Sequence, residues 1–172
     1  KAIEAKSNGK MIFEQVLEFI RRVDPSIKNI FLIEENGVKS FRVDSDRFMD
    51  KNMELSSYGE GLVRIFELGL GMSNCKNGIL LIDEFETAIH YSLLVEFTRV
   101  IQELANEFNV QVFITTHSKE CIDAFVKNQY RNTEISAYLV DSAEEKVNIK
   151  NITGEDLEFL VDSISFDLRG GW

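Results

Sequence analysis

Residues 78–86 read GILLIDEFE, and this stretch decides the fold. Gly78–Asp83 is a continuous apolar run closed by an acid. Such a run fits a strand buried on both faces, as in a parallel sheet. In open α/β sheets ligands bind outside the carboxyl ends of the strands, which is where Asp83 and Glu84 fall. A carboxylate there can hold a magnesium ion, usually through its waters. The next side chain points the other way along an extended backbone and can face an attacking water instead. That division of labour suits phosphoryl transfer, where positioning and charge neutralisation supply most of the catalysis. A pair of solvated acids at a strand end would give the same string, so these residues alone leave both readings open.

Downstream, Thr87–Phe108 is the longest helix pattern, with Leu93, Leu94, Phe97, Val100, Ile101 and Leu104 as its apolar stripe. Val110–Thr116 (VQVFITT) is a second buried strand candidate, ending at His117. A crossover helix between two parallel strands sets their ends side by side or one strand apart. His117 would then stand near the same phosphate, where an imidazole can hydrogen-bond a γ-phosphate or a lytic water. Ser118 is placed to cap a short helix through Phe125. Upstream, Leu55–Gly61 (LSSYGEG) precedes an apolar helix pattern over Leu62–Leu70, and Gly71–Asn77 reads as loop. A serine and a glycine at a helix N-terminus offer backbone N–H groups and a helix dipole to an anion.

The flanks are simpler. Met11–Val23 reads as an amphipathic helix ended by Asp24–Pro25. Ile30–Glu34 and Val38–Val43 are strand-like runs around Asn36–Gly37, a strong hairpin signal. Residues 44–54 are polar and read as loop. Ile135–Asp141 and Lys146–Ile152 suggest a second antiparallel hairpin, and Gly154–Ile164 a helix. No internal repeat or composition break divides residues 1–172, so one domain is expected.

Composition narrows the function classes. The 172 residues are 44% hydrophobic and 28% charged, ordinary for a soluble domain with a buried core. A net charge of −10 disfavours a nucleic-acid clamp, because an acidic surface repels phosphodiester backbones. Glu34–Glu35 and Glu144–Glu145 read as solvated surface. Cys75 and Cys121 are far apart, without CxxC spacing, and only His90 and His117 are histidines; disulfide, zinc and His-rich metal sites are therefore unexpected. Apolar runs such as Ile79–Ile82 are far shorter than a membrane span, and no signal-peptide pattern opens the chain. A cytoplasmic location is the expectation.

The order LSSYGEG, GILLIDEFE, VFITTHSKE, over roughly residues 55–125, resembles the signature motif, Walker B and H-loop of ABC-class ATPases. It is most similar to bacterial ATPases of the OLD and SMC/RecF groups. The resemblance implies a partial P-loop NTPase lobe of α/β class, with parallel strands, crossover helices and antiparallel hairpins. It implies ATP and Mg²⁺ as ligands. Asp83 would organise the metal, Glu84 would act as general base and His117 as the switch histidine. Ser57, Gly59 and Glu60 would face the γ-phosphate of ATP held by another subunit, so a homodimer through ATP is implied. Tyr58 stands where the ABC pattern has a glycine. Thr87–Ser92 occupies the D-loop position, with His90 at a place where relatives often carry a His-Pro pair, giving His90 an interface role.

Two expected parts are missing from the sequence. No GxxxxGK[ST] occurs, and no glutamine loop. Ser7–Asn8–Gly9–Lys10 lacks the first glycine and the Ser/Thr after lysine. A chain opening at Lys1 then reads as a fragment whose partner is an N-terminal lobe, with weak or no ATPase activity alone. The resemblance places such proteins in DNA repair, DNA transactions or antiphage defence, any nucleic acid being met through other domains or partners. The alternative is a non-catalytic ABC-like module for dimerisation or partner binding, against which Asp83, Glu84 and His117 together speak. OLD relatives append a TOPRIM nuclease domain, but no further acidic strand ends precede Gly170–Gly171–Trp172, so a nuclease is discounted.

Overall fold

The computed structural model describes residues 2–47, 52–128, 135–143 and 146–163. Lys1, Glu144–Glu145, Ile164 and Gly170–Gly171–Trp172, named above, lie outside the described residues.

The two expected strand ends sit side by side. β4 (Ile79–Ile82) and β5 (Gln111–Ile114) pair in parallel, with Ile79 opposite Gln111 and Ile82 opposite Ile114. Helix α3 (Tyr91–Glu107) connects them and buries Leu94, Phe97, Val100, Ile101 and Leu104, the stripe expected from its spacing. It starts four residues later than its pattern, because residues 83–90 form a turn. α4 (Lys119–Lys127) follows β5, and its first turn is capped as expected: the Ser118 hydroxyl accepts from the Cys121 N–H at 3.1 Å.

One expectation fails here. β4 is not buried on both faces. Ile82 is buried, whereas Ile79 and Leu81 are 59% and 74% exposed, and Phe113 on β5 is 47% exposed. The outward face of this apolar run meets no cover among the described residues. The sequence shows how apolar the run is, not what covers it.

Ahead of this unit, β1 (Ile27–Glu35) and β2 (Val38–Ser45) form the hairpin, and β3 (Asn52–Glu54) adds a short third strand where loop was expected. Asn36 and Gly37 both take positive φ, 54° and 78°, the geometry a two-residue hairpin loop requires. α1 (Ala2–Val23) begins well before Met11 and, at 22 residues, is the longest helix described. Its first turns lack an apolar stripe, so periodicity could not reveal them. Ser7–Lys10 lies inside α1 and forms no phosphate loop. α2 (Glu60–Asn74) runs through Gly71–Asn74, which had read as loop.

The core is an aromatic column flanked by aliphatics. Phe19 of α1 stacks on Phe97 at 5.5 Å, Phe97 on Phe85 at 5.4 Å, and Phe85 meets Phe125 of α4 at 5.2 Å. Beyond it, β6 (Ser136–Ala143) and β7 (Lys146–Thr153) form the second expected hairpin. α5 (Gly154–Glu158) and a π-turn over Phe159–Ser163 follow, replacing part of the single helix expected there. Val126, Ile152, Leu157 and Val161 make a smaller cluster beneath that hairpin.

Candidate functional site

Phe85 decides where the acids point. It is fully buried in the aromatic column, at 0% exposure, while Asp83 and Glu84 before it are exposed. Glu84 takes φ 46° and Ala88 φ 65°, so the turn after β4 is left-handed at two non-glycine residues. Glu84 is therefore not on extended backbone as expected. Its divergence from Asp83 comes from the turn instead. Such conformations cost about 1–3 kcal/mol each and persist where surroundings enforce them.

The surroundings are a ladder onto Thr115. The Thr115 N–H donates to the Ile82 carbonyl at 2.9 Å, and the Phe85 N–H donates to the Thr115 carbonyl at 3.1 Å. Between these, the Thr115 hydroxyl donates to Asp83 Oδ1 and accepts the Glu84 N–H at 2.9 Å. Glu86 extends the ladder by one rung: its Oε1 accepts the His117 N–H at 3.0 Å. Asp83, Glu84 and the His117 backbone are thus tied into one unit. His117 and Glu84 keep exposed side chains, and the Thr87 hydroxyl donates to Glu84 Oε2 at 3.2 Å.

Glu86 is charged by arrangement. Burial alone would push its carboxyl up. The nearby Thr116 hydroxyl, the Glu86 and His117 backbone N–H groups and the His117 imidazole outweigh burial and hold it below the ordinary range. Cys121 shows the opposite: burial pushes its thiol up to about 11, consistent with a packing role.

Helix α2 supplies the facing wall. Gly59, its N-cap, has φ 100° and ψ 153°, a conformation open essentially to glycine alone, and nothing lies within 4 Å of where a Cβ would sit. The cap residue thus has open space on its Cβ side. Tyr58, the departure from the ABC pattern, hydrogen-bonds Ser45 at 2.6 Å and pins this segment to β2. Gly61 allows α2 to approach the 83–88 turn: a Cβ there would lie 2.6 Å from the Ala88 carbonyl oxygen. Arg64 completes the junction, donating to the carbonyls of Asp83 at 2.8 Å and Glu84 at 3.4 Å.

Between α2 and the turn lies a cleft of about 450 Å³, bordered by Ser56, Glu60, Arg64, Asp83, Glu84 and Thr87. It brings Glu60 to the acid pair. Ser57, Gly59 and His117 do not line it, and Ser57 and Gly59 face outward. His90 caps α3, its Nδ1 lying 2.8 Å from the Ser92 hydroxyl, with its ring against Tyr91. Sequence reasoning missed Arg64 and Glu86 and gave Thr115 no role. An acid two residues beyond Glu84, across a single apolar residue, was the available signal for Glu86.

Parallel strands thus carry acids and a histidine at their carboxyl ends, fronted by a glycine-capped helix. The chain belongs to the AAA ATPase domain family, whose model matches residues 2–122. Uncharacterized protein MJECL11 of Methanocaldococcus jannaschii is 32% identical over 114 residues, covering 65% of this chain and 99% of that protein. An ATP/GTP phosphatase of Helicobacter pylori is 22% identical over 169 residues, covering 95% of this chain; the chain spans 45% of that protein. An SMC ATPase chain, solved in work on ATP-driven dimerization and DNA-stimulated activation, superposes with a TM-score of 0.59 at 13% identity, over 97% of this chain and 99% of that one. An SmcHead bound to the C-winged helix domain of ScpA gives a TM-score of 0.60 at 14% identity, over 84% of this chain and 43% of that one. At such identities these structures establish the fold alone. No helix among the described residues is long and apolar enough to cross a membrane.

Proposed function

We propose that this chain supplies the metal- and water-handling part of an ATP-hydrolysing head, as Walker B, signature motif and H-loop. The observation that carries the reading is the Thr115 ladder, which joins the acid pair and the histidine loop at the carboxyl ends of β4 and β5. Asp83 suits a magnesium site: it is an exposed hard oxygen donor with only Oδ1 engaged by Thr115 among the described residues. Magnesium bound there would neutralise phosphate charge. Glu84, steadied by Thr87, faces the cleft and takes the proton of the attacking water. His117 hydrogen-bonds the γ-phosphate or that water.

The grip on the nucleotide comes from elsewhere. These 172 residues carry no GxxxxGK[ST], and the outward apolar face of β4 and β5 fits a further lobe that packs on it. Without that lobe the chain has little or no turnover. Ser57, Gly59 and Glu60 contact ATP held by a second head, so ATP drives homodimerisation. That dimer serves a cytoplasmic DNA-directed or antiphage system of the OLD or SMC/RecF kind. With a charge of −10, any DNA contact falls to other domains or partners.

The test is molar mass by light scattering on the complete head carrying Glu84→Gln. ATP should double the mass, and adding Ser57→Arg should cancel the doubling. A mass indifferent to ATP, or a doubling that survives Ser57→Arg, would contradict the proposal.

A further inference from the structure

Glu86 is absent from the roles assigned above, yet among the described residues it is the side chain that reaches from the 83–88 turn to the backbone of His117, at 3.0 Å. Its other oxygen, Oε2, is buried and accepts no hydrogen bond. That leaves the bond from Oε1 to the His117 N–H as the direct hydrogen bond this carboxylate makes to another residue among the described residues. Its position is not free to adjust either, because Phe85 beside it is locked in the aromatic column and bonded to Thr115.

We propose that Glu86 is a positioning residue that fixes the backbone of His117 to the turn carrying Glu84, so that imidazole and carboxylate keep one spacing during hydrolysis. This rests on the roles proposed for Glu84 and His117. In this role Glu86 acts through the His117 backbone and not on the nucleotide itself. Its effect belongs on the chemical step and not on the grip on ATP. A small displacement of a reacting group is enough to slow that step severely.

Three variants of the complete head separate this from a merely structural role. Glu86→Ala removes the acceptor; its kcat should fall about 10- to 100-fold while KM for ATP stays within about twofold. Glu86→Gln keeps one acceptor oxygen and should recover most of that kcat. Glu86→Asp keeps the charge but shortens the reach, and should resemble Glu86→Ala. All are compared at a temperature where circular dichroism shows each folded, and Glu86→Gln decides the matter if Glu86→Ala does not fold. In that event its His117 amide proton must stay protected. A folded Glu86→Ala with wild-type kcat, or a loss shared equally by KM, overturns the inference.

A second readout needs no turnover. In the 172-residue chain, exchange of the His117 amide hydrogen should speed up at least about tenfold in Glu86→Ala, while amides of α3 do not change. Unchanged His117 exchange overturns the inference even if the head hydrolyses ATP. If the wild-type head hydrolyses nothing but His117 exchange responds, the catalytic reading fails while the positioning contact stands.

Discussion

The Thr115 hydroxyl, at the end of one parallel strand, donates to the Asp83 carboxylate at the end of the next, and accepts the Glu84 N–H at 2.9 Å. One hydroxyl therefore sets both acids. Thr115→Val keeps the shape and removes both bonds. Stability should drop by about 1–2 kcal/mol in urea denaturation. Turnover by the complete head should fall about 10- to 100-fold through misplacement of the acids. Thr115→Ser should restore most of both.

Gly61 makes a second prediction. Its Cβ position lies 2.6 Å from the Ala88 carbonyl oxygen, and backbone cannot swing aside as a side chain can. Gly61→Ala should force α2 away from the left-handed turn, costing about 1–3 kcal/mol by thermal or urea denaturation. A gain in stability, the usual result for Gly→Ala inside an exposed helix, would show that the two elements do not meet this closely.

Acid should unfold the chain partly through two carboxyls. Asp24, like Glu86, is pushed up by burial, but the Ser26 hydroxyl and N–H and the Arg47 guanidinium outweigh that and hold it below the ordinary value. A folded pKa below the unfolded one gives stability that is complete above the unfolded value and lost as pH falls through the folded one. Urea midpoints should therefore hold steady above about pH 5 and decline below about pH 4. Asp24→Asn should flatten part of that decline. An unchanged slope would contradict the assignment for Asp24.

Much of this was legible in the sequence because the period and the punctuation agreed. Asn36–Gly37 fixed one hairpin, Ser118 fixed a helix start, and the stripe from Leu93 to Leu104 fixed the crossover. The acid pair and His117 were legible from their place after apolar runs. What escaped has physical causes. The left-handed turn at Glu84 arises from tertiary bonds to Thr115, which no local string encodes. Arg64 acts on backbone carbonyls 19 and 20 residues away. β4 looked doubly buried because an apolar run reports its own polarity and not its cover. Ser57, Gly59 and His117 stand apart from the cleft that holds Glu60 and the acid pair, because the left-handed turn aims the acids at α2 and not along the strand axis.

The central claim is that Glu84 handles the attacking water. The most direct measurement is single-turnover ATP hydrolysis by the complete head beside its Glu84→Gln variant, with ATP binding measured in parallel. The account predicts a fall in rate of about 100-fold or more with ATP still bound. Equal hydrolysis rates in the two proteins would contradict it.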